Sequence, residues 1–320
     1  MFSLLIKLLL VICISYYPVT ANVIPYFSKT TGGYYKGGVD NIIIKDILNA
    51  ENNIRMAMYY LTNKNITKSL LNAKERGIDI EIITDDSKIK SKRYKSLINY
   101  GVSIRDDKNK KALMHNKILI IDENITWIGS GNYTVYSFYR NYDNFVRIND
   151  NDIGDYYTKK FKNLYEHNQS KIEPYQNKNL EIYFSKDSNI EDIIIKNINK
   201  SKENISLMMF AFTNKNIANA LINAKIRGVE VKVILDRVQN KFQKYSVYKY
   251  LKSQNIDIKL DKNRFKLHNK VLIIDDNIVI TGSYNYTKKA NLYNDENILI
   301  IKDKNITQQY ILDFNRVSNR

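Results

Sequence analysis

The chain has 320 residues, with 50 Lys and Arg against 33 Asp and Glu and a formal net charge of +17. At 44% hydrophobic and 12% aromatic, it can bury a sizeable core, which excludes a disordered chain. One cysteine, Cys13, excludes a disulfide framework and a Cys-based zinc site, and three histidines argue against a metal site of clustered imidazoles.

Residues 1–21 (MFSLLIKLLLVICISYYPVTA) carry Lys7, the apolar run LLLVICI, Pro18 and then Val19-Thr20-Ala21. This is the layout of a secretory signal peptide cleaved after Ala21. The alternative, an uncleaved anchor, needs ~20 apolar residues, more than this run supplies. A secreted, periplasmic or extracellular protein is expected, and its mature form lacks cysteine.

The rest of the chain repeats itself. MAMYYLTNKNITKSLLNAKERGIDIEIITDD (56–86) matches MMFAFTNKNIANALINAKIRGVEVKVILD (208–236), and MHNKILIIDENITWIGSGNYT (114–134) matches LHNKVLIIDDNIVITGSYNYT (267–287). Two repeats are expected, 22–170 and 183–320, joined by a polar connector at 171–182. In each, an apolar run of strand length precedes a segment of helical spacing (Ile66, Leu70, Leu71, Ala73) that stops at Gly77 or Gly228. IDIEIITD and VEVKVILD alternate as half-buried strands do. KILIID and KVLIID are continuous apolar runs, as in strands covered on both faces. This order predicts an α/β fold: two similar halves, each a mixed, mainly parallel sheet flanked by helices.

The chemistry sits in a compound pattern. His115, Lys117 and Asp122 are spaced H-x-K-x4-D; Gly129, Ser130 and Asn132 follow as G-S-x-N, and Asp143 lies in N-Y-D-N. His268, Lys270, Asp275, Gly282, Ser283, Asn285 and Glu296 repeat the spacing in the second half. His and Lys two apart at a strand start project from one face. An ammonium beside an imidazole is a poor core arrangement but suits an anion, and Ser and Asn add hydrogen bonds for phosphate oxygens. Asp143 and Glu296 can each take a histidine Nδ1–H, which leaves Nε2 free for chemistry. The bland alternative has each His capping a strand end, but two of only three histidines occupy equivalent places. His167 has no such company and reads as a surface residue. Asp122 and Asp275, at strand ends before turns, read as structural or supporting.

These residues resemble the phospholipase D superfamily, whose signature is H-x-K-x4-D followed by G-S-x-N; the likeness to its small secreted phospholipase and endonuclease members covers nearly the whole mature chain. The resemblance implies two α/β halves about a pseudo-two-fold axis, with both motifs at one site. It implies two-step phosphodiester hydrolysis without a metal or other cofactor, through a phosphohistidine. His115 is assigned as nucleophile and His268 as general acid and base; Lys117, Lys270, Asn132 and Asn285 bind the non-bridging oxygens, and Ser130, Ser283, Asp122 and Asp275 bind phosphate or support. Because one chain carries both motifs, a monomer suffices. One neutral and one protonated histidine are expected near neutral pH.

The expected partner is a phospholipid in an anionic membrane surface, which the net charge favours. The alternative is nucleic acid. Its support is the segments at 85–100 and 236–252, where Lys and Arg alternate with Tyr and Phe as in a backbone-tracking groove or, equally, an amphipathic solvated helix. A non-catalytic binding module is the third reading. TTGGYYKGG (30–38), which has no counterpart in the second half, reads as a surface loop beside the entrance.

Overall fold

The structure, a computed structural model, describes residues 21–167, 170–241 and 244–319; apart from Ala21, the expected signal segment lies outside them. No helix among the described residues is long and apolar enough to cross a membrane. The first half runs β1 (Asn22–Phe27), α1 (Val39–Leu48), β2 (Asn53–Met58), α2 (Lys64–Glu75), β3 (Asp79–Thr84), α3 (Lys92–Asn99), β4 (Ser103–Asp106), β5 (Lys117–Ile121), β6 (Ile125–Gly129), α4 (Val135–Tyr139), β7 (Asn144–Asn149) and α5 (Asn151–Tyr165). The second runs β8 (Tyr175–Gln176), β9 (Leu180–Phe184), α6 (Ile190–Lys200), β10 (Asn204–Met209), α7 (Lys215–Ile226), β11 (Glu230–Leu235), α8 (Arg237–Lys241), α9 (Tyr248–Ser253), β12 (Asp257–Leu260), β13 (Lys270–Ile274), β14 (Ile278–Gly282), α10 (Lys288–Leu292), β15 (Asn297–Lys302) and α11 (Lys304–Ser318).

The first sheet has the order β1-β7-β6-β5-β2-β3-β4 and the second β12-β11-β10-β13-β14-β15-β9-β8. Apart from β8, these are the same sheet built twice. The expectation of mainly parallel strands is corrected: β2-β3-β4 and β10-β11-β12 run parallel, and the other neighbours are antiparallel. Helices cross over between the parallel strands. A tight turn at Asp122 (φ 52) and Glu123 (φ 55) instead sends β6 straight back along β5. The connector expected at 171–182 is partly strand, since it contains β8 and the start of β9.

Five layers follow. Helices α1 to α3 cover the outer face of the first sheet through Ile43, Leu70 and Tyr94; α6, α7 and α9 cover the second through Ile194, Leu221 and Leu251. The inner faces meet around α5 and α11, where one core joins Ile118, Ile120 and Tyr157 to Val271, Ile273 and Tyr310. Every residue of β5 and β13 is buried, which explains their unbroken apolar runs.

Register fixes where the motifs lie. Lys117 pairs with Met58 and Lys270 with Met209, so each H-x-K stands at the C-terminal end of β2 or β10. Asp122 and Asp275 lie at the opposite end. The Asp122 carboxylate accepts the N–H groups of Glu51, Asn52 and Asn53, and Asp275 those of Lys202, Glu203 and Asn204. Both therefore anchor the approach to β2 and β10 and bind no phosphate at the site. Asp122→Asn keeps a residue tolerant of positive φ but loses acceptor capacity. We expect it to destabilise the fold by about 1–3 kcal/mol in thermal unfolding and to leave the turnover number unchanged below the melting range. A large fall in turnover with an unchanged Tm would return Asp122 to the site.

Candidate active site

The segments just ahead of β5 and β13 are held by the opposite half. The His115 N–H donates to the Asp295 carbonyl at 3.0 Å and the His268 N–H to that of Tyr142 at 2.9 Å. The side chains cross in the same way. His115 Nδ1 lies 2.8 Å from Glu296 Oε2, and His268 Nδ1 lies 2.8 Å from Asp143 Oδ1. Each imidazole is therefore oriented by the other repeat's carboxylate, and both Nε2 atoms are left for chemistry. All four groups are buried, the histidines at 7% and 8% exposure.

Ser130 Oγ donates to Asp143 at 2.7 Å and Ser283 Oγ to Glu296 at 2.5 Å. The two serines thus support the carboxylates and do not face phosphate. The glycine before each has no room for a side chain: a Cβ on Gly129 or Gly282 would meet the Asn144 or Asn297 carbonyl oxygen at 2.3 Å, with φ at +150° or +144°. Asn132 and Asn285 lie two residues past the serines, and their Oδ1 atoms are enclosed and unpartnered. Lys117 Nζ donates to the His115 carbonyl, and Lys270 Nζ to that of His268 at 2.6 Å. The two carboxylates differ. Glu296 also accepts from Asn294 Nδ2 at 3.0 Å. Asp143, one methylene shorter, leaves Oδ2 unpartnered, as is Oδ1 of the equivalent Asn141.

The structure adds residues that the motif reading passed over. Asn144 Nδ2 donates to Asn269 Oδ1 at 3.0 Å and Asn297 Nδ2 to Asn116 Oδ1 at 2.7 Å, a second pair of crossed bonds. The repeated H-N-K and the Asn after each carboxylate were the signal. Tyr59 packs edge-on to His115 at 5.3 Å and Phe210 to His268 at 4.8 Å. Asp85 and Asp236 accept the N–H groups of Met114 and Leu267, one residue before each histidine. Beyond these two carboxylates, much of the two basic-aromatic segments is taken up in packing. In the 85–100 segment, Tyr94 and Leu97 are buried, and Tyr94 donates to the Met58 carbonyl. In 236–252, Leu251 is buried. These are largely packing helices. Loop 30–38 meets α4, with Gly32 accepting from Arg140 Nε at 2.9 Å. His167 lies past α5, half-buried. One carboxylate group, Asp85, Asp86 and Asp107, comes within 4.8 Å of mutual contact, but Asp85 and Asp107 are committed to backbone N–H groups.

Burial governs the charges. It lowers His115 and takes His268 to about 4, against the raising effect of Glu296 and Asp143. Burial therefore works against a proton on either ring, while the facing carboxylates favour one. Burial also brings Lys117 to about 7 and Lys270 to about 8. Lys117 feels Lys270, and each lysine feels both carboxylates, so the two motifs form one electrostatic unit. Burial raises both carboxylates, but the facing imidazoles and lysines prevail and hold them low.

A lysine held below its unfolded value of 10.5 costs stability while the unfolded chain keeps it charged. Below about 7 to 8 both states carry the ammonium and the cost is whole; it disappears as pH approaches 10.5. Each ammonium also balances the buried Asp143 and Glu296, so Lys270→Met and Lys117→Met are each expected to destabilise the fold at pH 7 by about 3 kcal/mol, the unpaired carboxylate outweighing the relieved cost of the lysine. A raised Tm at pH 7 in calorimetry would contradict this.

Comparison with known proteins agrees with the doubled architecture. A phospholipase D of Rickettsia typhi is 37% identical over 134 residues, 42% of this chain and 65% of that protein. The mitochondrial cardiolipin hydrolase of Xenopus tropicalis is 32% identical over 120 residues, 37% of this chain and 56% of that protein. The chain thus spans under two thirds of the length of these relatives. Among solved structures, phosphatidylserine synthase of Haemophilus influenzae matches the fold with a TM-score of 0.70 at 13% identity, over 92% of this chain and 85% of that one. A family model described as "Cardiolipin synthase, PLD-like domain" matches residues 43–165 and again 194–318. The chain belongs to that family, and so to the phospholipase D superfamily, with one copy of the domain in each half.

Proposed function

We propose that the protein is a phosphodiester hydrolase acting on phospholipids, with His115 as nucleophile and His268 as general acid and base. The observation that carries this reading is the crossed pairing of each buried imidazole with a carboxylate, which presents two Nε2 atoms beside two ammonium groups. His115 Nε2 attacks phosphorus and the bond to the leaving oxygen breaks, while His268 supplies that oxygen with a proton. His268 then takes a proton from water, which attacks phosphorus and expels His115 neutral. Glu296 stabilises the positive charge on the phosphorylated ring. Lys117 and Lys270 bind the non-bridging oxygens, aided by Asn132 and Asn285, and stabilise the developing charge.

The charge balance explains how a ring with a pKa of about 4 becomes an acid. Two ammonium groups offset two carboxylates. An incoming phosphodiester adds one negative charge, which favours an imidazolium beside it. The relatives named phospholipase D and cardiolipin hydrolase support a phospholipid substrate. Cleavage of nucleic acid by the same groups is the second reading, favoured by Lys88 over the rings of Tyr59 and Tyr60 at 5.2 and 5.5 Å, a pairing suited to a stacked base and its phosphate. We further propose export through residues 1–21 and action as a monomer, since both motifs belong to one chain.

The test is parallel assay on phosphatidylcholine, cardiolipin and plasmid DNA in excess chelator. Phospholipid cleavage is expected to persist. His115→Ala is expected to remove a covalent phosphoenzyme trapped by alkaline denaturing quench, and His268→Ala to lower turnover by at least about 10²-fold. Loss of cleavage with chelator, or full activity in both variants, would contradict the mechanism; cleavage of DNA alone would overturn the substrate.

A further inference from the structure

Two loops lead into the motifs. The one between β4 and β5 carries Lys108, Lys110 and Lys111; the one between β12 and β13 carries Lys262, Arg264 and Lys266. All six are exposed. The acidic residues beside them are committed to backbone: Asp106, Asp107 and Asp261 accept the N–H groups of Lys108, Asp86 and Arg237.

Each loop packs against residues at the end of the other half's short helix. Phe265 meets Tyr136 of α4 edge-on at 5.9 Å, and Arg140 lies over these two rings at 5.3 and 4.5 Å. Asn263 Nδ2 donates to the Arg140 carbonyl at 2.9 Å. On the other side, the Leu113 N–H donates to Asn294 Oδ1 at 3.0 Å, just past α10. The two helices and their ends carry apolar groups that face solvent: Val135 at 39%, Tyr136 at 53%, Leu292 at 54% and Tyr293 at 53% exposure. Lys288 and Lys289 are exposed beside them. The rim of the site is thus a ring of cations with aliphatic and aromatic side chains set among them, contributed by both repeats.

We propose that this rim docks the protein on an anionic phospholipid bilayer. The choice of partner rests on the phospholipid reading of the site. The loop cations meet headgroup phosphates. Val135, Tyr136, Leu292 and Tyr293 enter the interfacial layer, where aromatic rings and aliphatic groups beside basic residues are favoured. A nucleic acid strand would engage the cations and rings but offers Val135 and Leu292 nothing to enter. Docked this way, the site receives a phosphodiester from a lipid that stays in the membrane.

Cosedimentation of the full chain with vesicles tests this. Binding is expected to vesicles of phosphatidylcholine and phosphatidylglycerol in equal parts, to weaken with salt, and to be much weaker on phosphatidylcholine alone. The triple variant Lys110→Gln/Lys111→Gln/Arg264→Gln is expected to bind the mixed vesicles at least about tenfold more weakly. Lys45→Gln/Lys74→Gln/Lys200→Gln removes the same charge from the last turns of α1, α2 and α6, at the far end of the strands, and is expected to stay within about twofold of the parent. Because both variants keep residues 1–21, the difference isolates the rim. Leu292→Trp is expected to show blue-shifted emission with the mixed vesicles. Equal losses in the two triples, or a rim triple that loses oligonucleotide binding but keeps vesicle binding, would overturn the proposal. Hydrolysis of soluble short-chain phospholipid by a parent that binds no vesicle would sink docking and spare the enzymatic reading; vesicle binding without hydrolysis would do the reverse.

Discussion

Each motif imidazole in this fold depends on the half of the chain that does not carry it. His115 takes both its backbone acceptor, Asp295, and its orienting carboxylate, Glu296, from the second repeat; His268 takes Tyr142 and Asp143 from the first. The asparagines cross in the same direction. The inner core around α5 and α11 therefore does more than exclude water. By fixing one sheet against the other, it sets the position of the carboxylates relative to the rings, on which hydrogen-bond geometry depends steeply.

The cost of such a site is visible in its charges. Two ammonium groups and two carboxylates are buried together, and desolvation lowers both lysines and both histidines. Their near-cancellation makes the burial tolerable and leaves the site one negative charge short of needing a proton. The duplication is not perfect. The Glu-to-Asp difference leaves polar atoms of Asp143 and Asn141 unpartnered, and Tyr59 packs on His115 where the second repeat sets Phe210 on His268. The two histidines hold equivalent places in the repeats but have unequal surroundings.

Much of this was legible in the sequence because it was written twice. The offset between the repeats exposed the α/β halves, and the unbroken apolar runs of KILII and KVLII marked strands buried on both faces. The doubled motif picked out His115, His268, the lysines and both carboxylates. Strand direction was less legible, since a parallel crossover and a tight hairpin both leave an apolar run followed by polar residues; only the positive φ at Asp122 and Asp275 separates them. The last Asp of each motif read as structural or supporting from its place before a turn, and a strand of five residues does carry it to the opposite end of the sheet. The aromatic and basic segments at 85–100 and 236–252 were ambiguous because amphipathic helices and nucleic-acid grooves share a composition. Which carboxylate serves which histidine was invisible, because it depends on how two sheets pack rather than on spacing within either.

That crossing is the central claim, and the small number of histidines makes it measurable. Imidazole titrations followed by NMR in Glu296→Gln and Asp143→Asn assign each carboxylate to its ring. The account predicts that Glu296→Gln moves the titration of His115 to lower pH and spares His268, and that Asp143→Asn does the opposite. If each substitution instead shifted the histidine of its own repeat, the pairing across the halves would be wrong.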